Sequence, residues 1–142
     1  MSQVEVVMDT NVLVSGLRST QGASHKILQY VASGRLGIAL SVPLVVEYEA
    51  AIKRQCLGDP ISIEDLDAVV DSLCTIGRHV HVYFLWRPLL SDPSDDMVLE
   101  LAVAAKVKWI LTHNVRDFVG SSSLGLKAIS PGDFLKNAGG IA

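Results

Sequence analysis

The sequence predicts an α/β fold: three layers, α/β/α, around a mostly parallel sheet of four or five strands. Two observations carry this expectation. Short β-rich apolar runs alternate along the chain with longer segments whose apolar residues recur every three or four positions. Such alternation builds a parallel sheet with helices on its faces. The first run, Val4 to Met8, is also almost unbroken in its apolar character, as befits a strand covered on both sides.

The remaining elements follow in order. A loop with Gly16 and Gly22 comes after the first strand. From Ser24 to Ser33, Ile27, Leu28, Val31 and Ala32 fall at helical spacing, with Gly34 as the stop. Leu36 to Leu40 reads as the second strand. Ser41 then caps a helix with Pro43 in its first turn, which turns Leu44, Tyr48, Ala51 and Ile52 to the core and runs to about Gln55. Gly58-Asp59-Pro60 is a turn. Ser62 caps the next helix, where Ile63, Leu66, Val69, Val70, Leu73 and Ile76 keep the helical period. Val80 to Leu85 is the third strand and Pro88 to Ser94 a loop. Asp95 to Lys106 is an Ala- and Leu-rich helix with acidic residues at its dipole-favoured start. Lys108 to Thr112 is the fourth strand, Ala128-Ile129 a short fifth, and Ser130-Pro131 opens a last helix through Leu135.

The 142 residues suffice for one domain, 1–142, with a proper core. Hydrophobic residues make up 49% of the chain, which excludes a disordered or linker-rich reading. No apolar run approaches a membrane span, and the polar start Met1-Ser2-Gln3 does not resemble a signal peptide. Cys56 and Cys74 lack metal-type spacing and read as reduced thiols, so the expected compartment is the cytoplasm, with no membrane partner. A net charge of −3 argues against tight, metal-free binding to long DNA. It leaves a nucleic-acid substrate open, since bound cations reverse the sign of an acidic pocket locally.

In an open parallel sheet, functional groups collect at the carboxyl ends of the strands. Asp9 directly follows the first strand, and Asn114 and Asp117 follow the fourth. The helices carrying Glu47 and Asp96 can begin at the same edge. Each residue also has a plainer explanation. Asp9 suits a turn or helix cap, with Thr10 and Asn11 bonding the backbone. Glu47, at the edge of its helix's apolar stripe, suits an ion pair with Lys53 or Arg54. Capping and the helix dipole account for one or two of Asp92, Asp95 and Asp96, at roughly 0.5–1 kcal/mol each. Asp117 suits a cap for the segment ending in Phe118. Taken jointly, the carboxylates point to a divalent-cation site, because half-buried charges are costly unless paired or metal-bound.

Other polar features weigh less. His79 and His81 would share a strand face, but no Cys or third His stands at zinc spacing. His113 lies beside the proposed site. No Gly-x-Gly-x-x-Gly, P-loop or Gly-x-Ser-x-Gly elbow is present. A phosphatase with Asp9 as nucleophile would want a second aspartate two residues on, where Asn11 stands.

The ordered set Met8-Asp9-Thr10-Asn11-Val12-Leu13, Ser41-Val42-Pro43-Leu44-Val45-Val46-Glu47-Tyr48-Glu49, Asp92-Pro93-Ser94-Asp95-Asp96 and Thr112-His113-Asn114-Val115-Arg116-Asp117-Phe118 resembles PIN-domain proteins. In particular it is similar to the VapC-type toxins of toxin–antitoxin systems. The resemblance implies a Mg²⁺- or Mn²⁺-dependent endoribonuclease on a Rossmann-like sheet. It makes Asp9, Glu47 and Asp96 the acidic core, with Asp117 as a further catalytic residue. Asn114 stands where many relatives have aspartate; it can ligate through its carbonyl but lowers the site's charge. The implied chemistry is in-line attack of metal-activated water on an RNA phosphodiester, Asp9 bridging the ions. Thr10, Asn11, Ser15, Asp92, Asp95 and Thr112 would orient ligands or water, and Arg18, Lys26 and Arg116 would contact phosphate. A protein antitoxin and a homodimer are the implied partners; the helical region from Val42 to Gly77 offers small and apolar residues such as Ala50, Ala51, Ala68 and Val69 for self-association, with core packing as their alternative use. A metal-binding but inactive RNA- or protein-binding module is the alternative.

Overall fold

A computed structural model describes residues 4–56, 62–82 and 93–137, the side chains at 93–96 and 119–123 excepted. The elements are β1 Glu5–Met8, α1 Thr10–Arg18, α2 Ala23–Ala32, β2 Gly37–Leu40, α3 Val42–Gln55, α4 Ile63–Ile76, β3 Arg78–His79, α5 Pro93–Ala105, β4 Trp109–Leu111, β5 Lys127–Ile129 and α6 Pro131–Asn137. A 3₁₀ segment, Val115–Leu124, lies between β4 and β5. The sheet order is β3-β2-β1-β4-β5, and every pairing is parallel. The expected five-strand α/β architecture is therefore what the chain forms.

Burial explains the layering. Val6, Val7 and Met8 are all fully buried although alternate residues face opposite sides of the sheet. Both sides must be covered. α5 lies against β1, β2 and β4, while α1 packs on α2 and α3, and α3 on α4. The chain runs outward from central β1 to β2 and β3 on one side and to β4 and β5 on the other, so the topological switch point falls between the carboxyl ends of β1 and β4.

Several local expectations hold. Ser41 Oγ accepts from the Leu44 N–H at 3.3 Å and Ser62 Oγ from the Asp65 N–H at 3.1 Å, so both cap their helices. The buried residues of α3 are Leu44, Tyr48, Ala51 and Ile52. Gly34 takes φ +80°, the left-handed conformation suited to stopping α2.

Other expectations are corrected. The stretch expected as a loop with Gly16 is helix α1. Its β-branched valines and glycine weaken the local signal, but Asp9 caps it and Gly16 serves a close approach. A Cβ at Gly16 would stand 2.6 Å from Leu28 Cδ1 and 3.0 Å from the Ser24 carbonyl oxygen. The third strand, expected over Val80–Leu85, occupies Arg78–His79, and residues 80–82 are not strand. Its partner β2 gives way to α3 after Leu40, so the last ladder bond is Val80 N–H to the Leu40 carbonyl at 2.8 Å. Residues 83–85 lie outside the described residues, as do the Gly58-Asp59-Pro60 turn and most of the 88–94 loop. His79 and His81 consequently do not share a strand; His79 Nε2 instead bonds the Cys74 carbonyl at 2.7 Å. α5 begins at Pro93 rather than Asp95, proline being favoured in a first turn.

Candidate active site

Asp9 stands at the switch point. It leaves β1 in extended conformation and becomes the N-cap of α1, the plainer of its two readings. Its Oδ1 accepts from the Thr10 N–H at 2.8 Å and more distantly from Thr10 Oγ1 at 3.4 Å. Its Oδ2 accepts from Thr112 Oγ1 at 2.8 Å. The Asp9 N–H donates to the Leu111 carbonyl at 2.8 Å, which ties the ends of β1 and β4 together. Only 6% of Asp9 is exposed. None of the ion pairs among the described residues includes it.

Burial dominates its electrostatics and raises the carboxyl's pKa above the usual 3.8; the threonine bonds oppose the rise and the charge of Asp117 adds to it. Among the described residues the site thus holds Asp9 by neutral dipoles, with a second carboxylate close enough to be felt.

The β4 end supplies the opposite wall. Thr112 is fully buried, and its hydroxyl accepts from the Asn114 N–H at 3.0 Å while donating to Asp9. The His113 N–H donates to Asn11 Oδ1 at 3.2 Å. Asp117 N–H reaches the Asn114 carbonyl at 2.9 Å, turning the chain into the 3₁₀ segment. Asp9, Thr10, Asn11, Thr112, Asn114 and Asp117 are therefore gathered at one rim.

The other expected residues are distributed differently. Glu47, half-buried on α3, pairs with Arg54 at 3.2 Å, the plainer of its two readings. Lys53 pairs with Glu49 instead. Asp95 and Asp96 fall in the first turn of α5, which must begin at the carboxyl edge because it leads back to the start of parallel β4. Their side chains, and all of Asp92, lie outside the described residues. Among the described residues no three His, Cys, Asp or Glu side chains gather closely enough to hold a metal ion. Ser15 and Arg18 line an open hollow of about 490 Å³ that starts at Thr10 and Asn11. Lys26 is exposed on α2 and Arg116 in the 3₁₀ segment, and neither lines that hollow.

Two features escape sequence reasoning. Ser24 Oγ meets His113 Nε2 at 3.0 Å, 89 residues apart in the chain. The buried Tyr48 hydroxyl donates to the Met8 carbonyl, the residue before Asp9. A hydroxyl on an otherwise apolar helix face was the only signal in the sequence.

An all-parallel α/β protein whose switch point holds a buried carboxylate, unpaired with any cation among the described residues, is the class that fold and site define. A PIN domain profile matches residues 5–116, and the chain belongs to the PIN domain family. Among solved structures it is similar to a chain of VapBC2 from Rickettsia felis bound to a DNA fragment from their promoter, with 14% identity, a TM-score of 0.61, and coverage of 89% of this chain and 98% of that one. A chain of FitAB bound to an IR36 DNA fragment gives 13% identity, a TM-score of 0.62, and 89% and 94% coverage. One of FitAcB from Neisseria gonorrhoeae gives 13%, 0.55, and 89% and 97%. At these identities the likeness bears on the fold. No curated protein matches the sequence at a significant level.

Proposed function

We propose that this chain is a Mg²⁺- or Mn²⁺-dependent endoribonuclease and the toxin of a toxin–antitoxin pair. The observation that carries the reading is Asp9, a buried carboxylate held by Thr10 and Thr112 with no cation paired to it among the described residues, at the switch point of a PIN domain. The resemblance of its motifs to VapC-type toxins, and a fold similar to chains of VapBC2 and FitAB, support the toxin assignment.

The donor set suits a hard cation. Asp9, Glu47, Asp96, Asn114 and Asp117 offer oxygen only, the ligand type of Mg²⁺ and Mn²⁺. Asp9 Oδ2 keeps a lone pair beyond its bond from Thr112. When bound, the ion supplies Lewis-acid charge that favours deprotonation of an attacking water and offsets charge on the phosphodiester. The protein does the positioning. Thr10 and Thr112 fix the Asp9 carboxylate, and Thr112 also holds the Asn114 backbone. Glu47 would have to share its carboxylate with Arg54. Arg18, which lines the same hollow as Thr10, would take a phosphate of the strand. Water oxygen adds to phosphorus and the bond to the leaving ribose oxygen breaks.

A phosphatase reading fares worse. Asn11 stands where a second aspartate is wanted, and its Oδ1 accepts from the His113 N–H. For a protein partner the candidate surface is an apolar groove of about 400 Å³ between α1, α2 and α4, with Leu17, Leu28, Val69 and Ile76 along it. Of the residues expected at a homodimer contact, Ala51 is buried in the core and unavailable, while Ala68 is exposed. Light scattering of the chain alone and with a candidate antitoxin tests both partners.

The deciding experiment is cleavage of single-stranded RNA by wild type and Asp9→Asn, with Mg²⁺, with Mn²⁺ and with chelator. Single strands suit it because their phosphates enter an acidic cleft without duplex melting. Ion-dependent cleavage lost in the variant is expected. Phosphate release from a small phosphoester without RNA cleavage would favour the phosphatase, and ion binding with no cleavage of any RNA the inactive module. Alanine at Asp92, Asp95 and Asp96 extends the test: Asp96→Ala should silence cleavage, and silence from Asp92→Ala alone would show the ligand register to be wrong.

A further inference from the structure

We propose that Tyr48 is a positioning residue, its hydroxyl seated on the Met8 carbonyl so that the strand end carrying Asp9 and the helix turn carrying Glu47 keep one register. The proposal rests on the nuclease reading above and names a residue on which that site depends. The bond joins positions 40 residues apart, and each partner is the immediate neighbour of a candidate ligand. Tyr48 is 1% exposed and among the largest fully buried side chains. Burying a phenol hydroxyl is costly without a partner, and phenylalanine would fill the same space without that cost. The hydroxyl therefore does something the ring does not.

What it does follows from the rest of α3. Leu44, Ala51 and Ile52 make up the remainder of its buried face. Apolar contacts hold the helix down but are non-directional, and leave its slide and rotation along the sheet loosely set. One directional bond to a fixed carbonyl at the end of the central strand removes that freedom. Consecutive helix residues lie about 100° apart around the axis, so locking Tyr48 inward sets the height and azimuth of Glu47 on the flank. Burial, and then the charge of Asp9, push the phenol's ionisation above its ordinary range, so it remains a donor.

The test compares Tyr48→Phe with Ile52→Val, a packing change on the same helix face. Calorimetric Mn²⁺ titration, kcat and KM on single-stranded RNA, and metal-free melting are measured on each. Tyr48→Phe should weaken Mn²⁺ binding about 10–100-fold, the range for partners that orient metal ligands. It should lower kcat similarly and leave KM for RNA unchanged, whereas Ile52→Val should leave Mn²⁺ affinity intact. Wild-type affinity and kcat in Tyr48→Phe would overturn the proposal, and so would an equal loss in Ile52→Val. Wild type that neither binds Mn²⁺ nor cleaves RNA overturns the nuclease reading, and this proposal with it. Should Tyr48→Phe not fold, fluorotyrosine at position 48 keeps the hydroxyl. Its fluorine resonance should broaden on Mn²⁺ addition, and an unbroadened signal would overturn the proposal.

Discussion

Strand β1 carries a carboxylate at each end, and the two are treated oppositely. Glu5, at the start, takes a fork of bonds from Arg78: Nη2 to Oε1 at 2.6 Å and Nε to Oε2 at 2.9 Å. Arg78 Nη2 also reaches the Ala105 carbonyl at 2.7 Å, so the guanidinium links β3, β1 and the end of α5. Its pKa is raised, chiefly by the bond to Glu5. Asp9, just past the strand's other end, is more deeply buried, yet its partners among the described residues are a backbone N–H and hydroxyls. A fold selected only for stability would place the cation where burial is greater. Among the described residues the amino edge is compensated by a cation and the carboxyl edge is not, the contrast expected if the carboxyl edge is the ligand site proposed above.

The sharpest way to break this contrast is Asp9→Asn. Asparagine keeps the shape: its Oδ1 can accept from Thr10 N–H, and its Nδ2 can donate to Thr112, whose hydroxyl rotates to accept. Charge is what is lost. Ion-dependent cleavage should fall by more than the ~100-fold that outer partners of a metal site cost. Cleavage kinetics at saturating Mn²⁺ check it, and activity surviving the change would point to a contaminating ribonuclease.

Next in size is the effect of the ion on stability. A ligand at 100 times its Kd stabilises by about 2.7 kcal/mol, roughly 5–11 °C in melting temperature for a chain near this length. Melting at low salt across millimolar Mn²⁺ should show the rise in wild type and in the Glu5→Gln variant but not in Asp9→Asn. A flat response in wild type would remove the cation from the account.

A smaller effect appears with pH. Because burial raises the Asp9 pKa in the fold, the native state binds its proton more tightly than the unfolded chain. Metal-free stability contributed by this group is present below the usual 3.8 and is lost as pH rises through the folded value. Metal-free Asp9→Asn should therefore melt above wild type at neutral pH, the gap closing as pH falls through that window. With Mn²⁺ the sign reverses, since the ion requires the carboxylate. A gap that widens in acid would mean that Asp9 is compensated after all.

The sheet was legible because its buried strands are apolar on both faces, and Asp9 because it breaks such a run at its end. α1 was not. Val12, Val14 and Gly16 argue locally against a helix, which stands because Asp9 caps it and α2 approaches Gly16. The third strand was misplaced because β propensity peaks after Val80, whereas its length is set by where β2 stops. Thr112 could be suspected from its strand-end position. The bonds of Tyr48 to Met8 and of Ser24 to His113 could not, since each joins residues that only the folded topology brings together.

The mildest change tests the compensated end. Arg78→Met keeps much of the apolar stem and removes the fork on Glu5 and the bond to Ala105. Arg78 is 51% exposed and Glu5 24%, so solvent screens much of their attraction. A pair of this kind contributes about 0.2–1 kcal/mol, and the carbonyl bond adds an amount of similar order, about 1 kcal/mol. Melting temperature should drop by roughly 2–8 °C, at about 2–4 °C per kcal/mol. High salt should shrink the difference, because screening weakens the pair in wild type first. Cleavage rate and the Mn²⁺-induced shift should stay at wild-type values, since nothing in this clamp touches Asp9. If Arg78→Met weakened Mn²⁺ binding as Asp9→Asn does, the two ends of β1 would be one coupled system and the division between them would fail.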